Sequence, residues 1–343
     1  MKIHNHSGKG HPFKPNQQQP SAVKMADAPA VYPMPQDVTA ALKNQPCGNF
    51  SLQFYRFVPK PEKDKKGAAW KAVLEAGNKL YNNEDAREFL KRQALLGASM
   101  RQIYGNNNVI EFQGVTKSRL SIGFGNTGPL DTGLTLQRLY GLPYLPAAAI
   151  KGVCRARALD EIARSLGAPA LSPEEKQRLN EKKRKTPLEH LENWLVSKEK
   201  NRKQAWENFL QRMQEYNPDM GAEQPEKEAI DFLNVFGSQD TRGKVIFYDA
   251  FPVEITRCLF DLDIINPHYQ PYYESKGKKP PADYYSPVPI NFLTVAPGVK
   301  FQFVITGEKA TNDTLKKAKT WLQNALAENG IGAKTALGYG EIK

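Results

Sequence analysis

Twice along this chain of 343 residues an apolar pattern of period two gives way to one of helical period. In the second instance Val299, Phe301, Phe303 and Ile305 alternate. Asn312 or Asp313 is then placed to cap a helix whose Leu315, Ala318, Leu322 and Leu326 share one face. Asn329-Gly330 supplies its stop, and a short last strand runs to Ile342. In the first instance Val115–Phe124 reads as a half-buried strand, with Leu120, Ile122 and Phe124 inward and Lys117, Arg119 and Ser121 on an open, cationic face. A helix follows over 148–166, where Ile150, Cys154, Ala158, Ile162 and Leu166 recur every four residues and Gly167 is its C-terminal stop.

Further strands are expected at Lys244–Val253, Cys258–Ile265 and Pro289–Val295, the last joined to Val299–Ile305 by the turn Ala296-Pro297-Gly298. The order strand, helix, strands, strand, helix, strand predicts an α+β chain with a ferredoxin-like (RRM-like) βαββαβ core. Residues 68–104 form a helical N-terminal segment, with Trp70, Val73, Leu74, Phe89, Leu90, Leu95 and Leu96 on its apolar faces. Residues 172–229, within an insertion of about 168–235, carry helical stripes from Trp194, Leu195, Trp206, Phe209 and Leu210. Between Lys176 and Lys203 ten basic residues stand against four acidic ones, so this insertion presents a basic surface. Residues 1–46 hold seven of the 25 prolines and little apolar periodicity, and are expected to be a flexible tail ahead of one domain over 47–343.

Charge narrows the class of partner. The chain has 48 Lys+Arg against 36 Asp+Glu, a formal charge of +12, which favours an acidic partner, nucleic acid being the commonest. No apolar run reaches the roughly 18–20 residues that cross a bilayer, and Met1–Gly10 has no apolar segment after its basic residues. A cytoplasmic protein without a membrane partner is expected. Cys47, Cys154 and Cys258 are far apart and form no C-x-x-C pair, which argues against a zinc knuckle or a disulfide framework. His4, His6 and His11 lie in the tail without Cys or carboxylate nearby, and Asp131, Asp249 and Asp263 have no diagnostic spacing, so neither a metal nor a cofactor is expected.

Two motifs mimic nucleotide sites and fail on context. Gly123-Phe124-Gly125-Asn126-Thr127-Gly128 spells a dinucleotide fingerprint, but Pro129 and a loop to about Pro146 follow it instead of the helix that would meet a pyrophosphate. Gly332-Ala333-Lys334-Thr335 resembles the end of a P-loop but has Ala333 where glycine is needed and follows a helix instead of preceding one.

What remains there is a glycine-rich segment carrying Gly330, Gly332, Lys334, Thr335, Gly338, Tyr339 and Gly340, whose backbone N–H groups suit close approach to phosphate. A bare helix-to-strand connection would need only one or two glycines. A second anion site is the start of the 148–166 helix, where free N–H groups and a positive dipole end are joined by Lys151, with Arg155 one turn on along the same side; a solvated helix face is the plainer reading. A third is Asn266–Pro289, where Tyr269, Tyr272, Tyr273, Tyr284 and Tyr285 mix with His268, Lys276, Lys278 and Lys279, a composition that suits base stacking on single-stranded RNA or packing against a neighbour. Apart from His190 in the charged insertion, His268 is the only histidine in a plausible general acid–base setting, although a lone histidine in a proline-flanked aromatic loop is more often a hydrogen-bonded structural residue.

Several segments in this order resemble RAMP superfamily proteins and, more narrowly, the sixth-subunit family of the type III-B CRISPR (Cmr) effector. They are Asp131-Thr132-Gly133-Leu134, Gly141–Pro146 leading to Ile150-Lys151-Gly152, Phe236-Gly237, Gly243–Ala250, Asp263–Tyr269 and the terminal glycine-rich loop. The resemblance covers about 115–166 and 231–343, roughly half the chain. It implies a non-catalytic subunit of an antiviral ribonucleoprotein that binds guide RNA near its 3′ end and caps the head of the complex. Its partners would be guide and target RNA, the backbone RAMP subunit, the small helical subunit and the head-end RAMP subunit. Lys151 and the Gly330–Gly340 loop are its best-placed RNA contacts, with Arg155 and His268 beside them. The chain departs from the family where Gly-Ser-Ser often precedes the Leu-Lys-Gly, having Ala147-Ala148-Ala149 instead, so two phosphate-binding hydroxyls are missing. Two other classes remain open: a metal-independent guide-processing endoribonuclease using His268, and an interaction module whose basic insertion docks an acidic protein.

Overall fold

The computed structural model describes residues 35–44, 47–58, 66–126, 128–130, 132–218, 226–282, 284–287, 289–308 and 310–343. Most of the expected tail, including His4, His6 and His11, and also Asp131 lie outside these residues. Within 1–46 a helix, α1, spans Gln36–Asn44. The N-terminal segment continues as α2 (Phe50–Arg56), α3 (Lys66–Asn78), α4 (Glu84–Ala94) and α5 (Leu96–Tyr104). Local sequence sets these limits: Asn83 caps α4 by accepting the Ala86 N–H at 2.9 Å, and Gly105 turns the chain at φ +85° after α5. Of the residues expected on its apolar faces, Trp70, Val73 and Leu90 are buried and Leu74, Phe89 and Leu96 half-buried, whereas Leu95 is exposed, because it falls at the junction between α4 and α5.

The first strand lies earlier than expected. β1 is Val109–Val115, and residues 116–124 make only the isolated bridges Thr116–Ile342 and Leu120–Val295. Ser121, expected on an open face, is fully buried, because the glycine-rich loop lies on its backbone. After β1 come α6 (Ala147–Ser165) and the insertion helices α7 (Pro173–Glu181), α8 (Pro187–Val196), α9 (Glu199–Gln214) and α10 (Glu226–Phe236). Ser172 and Thr186 open α7 and α8 with full capping boxes to Glu175 and Glu189, each with proline at the helix start. Trp194, Trp206 and Phe209 pack together within the insertion and join the hydrophobic core shared with α6, the C-terminal helix and the sheet.

The expected strand over Lys244–Val253 is two short ones, β2 (Val245–Phe247) and β3 (Phe251–Pro252), followed by β4 (Phe260–Ile265), α11 (Gln270–Glu274), β5 (Ile290–Val295), β6 (Lys300–Gly307) and α12 (Asn312–Asn324). Asp249 falls in the break, its carboxylate taking the Ala147 N–H at 2.7 Å. Thr311, not Asn312 or Asp313, caps α12 by accepting the Thr314 N–H at 3.2 Å. A π-type turn over Ala325–Asn329 ends at Gly330.

Mixed helix and antiparallel sheet make up the fold. β6 is central, with β1 on one side and β2 and then β3 on the other. β5 does not hairpin onto β6 across Ala296-Pro297-Gly298; it pairs with β4 in a separate two-stranded sheet. The last strand is reduced to backbone pairing: Val115 and Lys343 exchange N–H···O bonds of 2.6 and 3.0 Å, and Lys117 N–H reaches Glu341 at 2.8 Å.

Register assigns the faces of the main sheet. Ile110, Phe112 and Gly114 oppose Ile305, Phe303 and Phe301, and the Phe112 and Phe303 rings stack beneath Lys319 of α12. This face carries α6 and α12. Arg157 of α6 pairs with Glu161 on the same helix at 2.9 Å and reaches Glu328, in the turn after α12, at 2.6 Å. The opposite face carries Glu111, Gln113 and Gln302 and is roofed by α4 and α5, with Arg101 bound to Glu111 at 2.6 Å. A cavity of about 380 Å³ is left between this roof and the sheet. Among the described residues this face is therefore largely covered, with Gln113 still exposed.

Helix ends show one departure from ordinary usage. After α6 the Gly167 and Ala168 N–H groups bond back to Arg164 and Ala163 at 3.0 and 2.8 Å, with Gly167 left-handed at φ +70°, the glycine expected for such a stop. Among the described residues the only non-glycine residues with positive φ are three lysines: Lys183 (53°), Lys276 (53°) and Lys334 (63°). A side chain held in that conformation costs roughly 1–2 kcal/mol.

Candidate nucleic-acid interface

The glycine-rich segment is a rigid loop, fastened along its length to residues 119–121 and to the β4–β5 sheet. Ala333 N–H donates to Ser121 O at 2.6 Å and Gly340 N–H to Arg119 O at 2.9 Å, while Ile331 N–H crosses the loop to Gly340 O at 2.9 Å. These contacts explain three of the four glycines. A Cβ on Gly330 would lie 2.7 Å from Tyr339 O, on Gly332 2.3 Å from Ser121 O and on Gly340 2.0 Å from Ile331 O. Their roles are backbone packing, closer to the plain connection than the composition implied. Gly338 differs: it is left-handed at φ +86°, exposed, and a Cβ there would meet nothing within 4 Å.

Lys334 begins the 3-10 turn Thr335–Leu337 in the left-handed conformation. Its ammonium sits over the rings of Phe124 and Phe292, 5.2 and 5.3 Å from their centroids, so the cation is held in place while the side chain stays half-buried. Tyr339 donates to Asp263 on β4, and Asp263 also takes Arg119 Nη1 at 3.2 Å; Arg119 Nε reaches Asp261 at 2.7 Å. Burial first, and then the bond to Asp263, push the Tyr339 phenol up to about 12, so it remains a neutral donor. Between these anchors Ala336, Leu337 and Gly338 project, with Leu337 73% exposed. Sequence reading passed over Leu337, since periodicity assigns no role to a lone apolar residue in a glycine-rich run.

The start of α6 is less open than expected. Asp249 holds the Ala147 N–H, placing a carboxylate at the positive end of the helix. Lys151 is half-buried in the first turns. Arg155 is engaged elsewhere: its guanidinium binds Glu192 of α8 at 2.6 Å and lies 5.4 Å from the Phe232 ring centroid of α10, tying α6 to the insertion. The Lys151–Arg155 pair thus divides between an available cation and a structural one.

His268, just past β4, is exposed, and its ring stands 6.4 Å from that of Tyr269. The tyrosine-rich segment keeps Tyr273 and Tyr284 largely exposed. Among the described residues no cluster of three or more His, Cys, Asp or Glu is placed to hold a metal ion, and no helix is long and apolar enough to cross a membrane.

Comparison with known proteins adds to this geometry. A family model described as the RAMP superfamily matches residues 115–343. The CRISPR system Cmr subunit Cmr6 of Pyrococcus furiosus is 36% identical over 234 residues; the match covers 66% of this chain, which spans 65% of the length of that protein. The Cmr6 subunit of Saccharolobus solfataricus is 24% identical over 288 residues, covering 78% of this chain and 75% of that one. Among solved structures, the crystal structure of Cmr6 from Pyrococcus furiosus aligns with a TM-score of 0.42 at 30% identity, over 69% of this chain and 98% of that one. A chain of the cryo-EM structure of the type III-B Cmr-beta complex bound to cognate target RNA aligns with a TM-score of 0.48 at 22% identity, over 82% and 76% of the two chains. The matched span of 115–343 begins at the end of β1 and takes in the other strands of the main sheet, α6 and α12 packed on it and the glycine-rich loop, and the chain belongs to the RAMP superfamily.

Proposed function

We propose that this chain is a non-catalytic, RNA-binding subunit of a type III-B CRISPR (Cmr) ribonucleoprotein in antiviral defence, that it binds guide RNA near its 3′ end, and that it caps the head of the complex. The observation that carries this reading is the glycine-rich loop, pinned at both ends so that Lys334, Thr335 and Gly338 are presented together with a cation already fixed over two rings. Similarity to the Cmr6 subunits supports the assembly. Its partners are guide and target RNA, a backbone RAMP subunit, a small helical subunit and a head-end RAMP subunit, in the cytoplasm.

In this reading Lys151, Lys334, Thr335, Gly338, Tyr339 and His268 face the RNA, Gly330, Gly332 and Gly340 shape the loop, and Arg155 orients the insertion. The core is a ferredoxin-like βαββαβ unit within one domain over 47–343. That is supported by a β1–β6–β2 order extended at the β1 edge by the C-terminal residues, with α6 and α12 on one face.

The test is RNA binding by the full chain across a salt series, with labelled single-stranded RNA. Lys151→Ala and Lys334→Ala are each expected to lower affinity several-fold, and binding is expected to fall steeply with salt. Unchanged affinity and salt dependence in the double variant would place the RNA on another surface.

A further inference from the structure

Three structurally related helix stops separate charge from backbone need. After α6, α7 and α11 the chain makes the same pair of bonds back into the last turn. For α7 they are Lys183 N–H to Asn180 and Arg184 N–H to Leu179, at 2.9 and 2.8 Å. For α11 they are Lys276 N–H to Tyr273 and Gly277 N–H to Tyr272, at 3.1 and 2.9 Å. The left-handed residue of this motif is ordinarily glycine, as Gly167 is after α6. At α7 and α11 it is lysine instead, in a backbone conformation that disfavours any side chain.

The helix dipole does not account for the choice. A cation near a helix C-terminus is stabilising, but Lys182 already occupies the cap of α7, where the backbone is right-handed and unstrained. Lys183 also stands in an exposed run, Lys182–Lys185, that continues to the start of α8, where positive charge is unfavourable. Among the described residues only Arg184 of these four has a carboxylate within 4.0 Å, that of Glu215. The field of the run is felt at His190 on α8, whose imidazole is held below its ordinary pKa by burial and then by Lys185 and Arg212. Lys276 is likewise exposed and opens the stretch Lys276, Lys278, Lys279 beside the exposed Tyr273 ring.

We propose that Lys183 and Lys276 are two further phosphate contacts for single-stranded RNA, lying outside the glycine-rich loop and presented on turns where glycine would serve the fold better. The inference rests on the RNA-binding reading above and extends it to the basic insertion and the tyrosine-rich segment. Single-stranded RNA suits Lys276 because the exposed Tyr273 lies three residues before it, and a phosphate backbone suits Lys183 because Lys182, Arg184 and Lys185 adjoin it in the chain.

The test exploits the opposite demands of backbone and charge. Lys183→Gly and Lys276→Gly, made singly and together in the full chain, are compared with Lys151→Ala/Lys334→Ala by binding of a labelled single-stranded oligoribonucleotide across a salt series and by thermal melting. Each glycine variant is expected to melt no lower than the parent, and about 1–2 °C higher where strain is relieved. Each is also expected to bind RNA about 3–5-fold more weakly at low salt and to reduce the log–log salt slope by about 0.7, one phosphate contact. Unchanged affinity and slope in the Lys183→Gly/Lys276→Gly variant, with the Lys151→Ala/Lys334→Ala variant impaired, would overturn this inference and leave the loop assignment standing. A parent chain that does not retain RNA at all would overturn both.

Discussion

Tyr339 donates its hydroxyl hydrogen to Asp263, and through that bond the end of the glycine-rich loop is fastened to β4. The same carboxylate receives Arg119 at 3.2 Å, so a loop residue, a strand residue and the segment after β1 share one charge. The bond needs the phenol protonated, and burial together with Asp263 raises its pKa to about 12. A group whose folded pKa lies above its unfolded value of about 10 stabilises the fold fully below that value and loses the contribution as pH rises through the folded one.

Tyr339→Phe is therefore expected to cost about 1 kcal/mol at neutral pH, the usual scale for a hydrogen bond to a charged group that is partly solvated. The gap between parent and variant should stay constant from pH 7 to about 10 and close between about 10 and 12. Urea unfolding of both proteins at several pH values checks this. A gap independent of pH up to 12 would show that the hydroxyl contributes no proton-linked stability.

The four loop glycines separate into two kinds by what an added Cβ would strike. Gly332→Ala and Gly340→Ala drive a methyl into backbone oxygens 2.3 and 2.0 Å away, and each is expected to cost more than about 2 kcal/mol or to prevent folding. Gly338→Ala meets only the conformational cost, roughly 1 kcal/mol, because the space around it is open. If RNA backbone approaches Gly338, the methyl should lower RNA affinity beyond what the small loss of stability explains. Melting curves and RNA binding on the three variants decide it, and equal melting temperatures for all three would contradict the packing described.

Much of this was legible before the fold was known. The alternation at Val299–Ile305 and the helical spacing of Leu315, Ala318, Leu322 and Leu326 correspond to buried residues of β6, α12 and the following turn, because each pattern lies on an element with one clear inward face. The error at Val115–Phe124 has the opposite cause. Leu120 and Ile122 are buried and alternate like a strand, but the glycine-rich loop takes the backbone bonds a neighbouring strand would have taken. The β4–β5 pairing was illegible because a turn such as Ala296-Pro297-Gly298 reads the same whether its arms pair with each other or with different partners. The loop's glycines were visible, but whether they face solvent or a neighbouring carbonyl is a tertiary fact. The engagement of Arg155 by Glu192 likewise depends on where the insertion folds back.

Glu161 links the two helices beneath the sheet by accepting Arg157 at 2.9 Å, Trp321 at 3.0 Å and Asn324 at 3.1 Å. Burial alone would raise its pKa, but the bonds from Asn324, Arg157 and Trp321 outweigh burial and hold it below the ordinary glutamate value. A depressed carboxyl stabilises the fold above its unfolded pKa, about 4.3, and that contribution is lost as pH falls through the folded value. Glu161→Gln is expected to cost about 2 kcal/mol at pH 7, because Arg157 is buried and loses one of its two carboxylate partners. The cost should shrink below about pH 4. Chemical denaturation at pH 7 and pH 3.5 tests both parts, and a deficit that grows on acidification would reverse the assignment.

His268 decides between a binding subunit and a nuclease. A general base must stand within hydrogen-bond reach of the proton it removes and gains from a partner that orients it. His268 is exposed, and the ring of the adjacent Tyr269 stands 6.4 Å from its own, centroid to centroid. The full chain incubated with labelled single-stranded RNA, with and without chelator, is accordingly expected to leave the RNA intact. His268→Ala is expected to weaken binding by about twofold or less, the scale of one exposed contact. Chelator-resistant cutting by the parent chain that disappears in His268→Ala would instead make this residue the catalyst of a metal-independent ribonuclease, and the non-catalytic reading would fall.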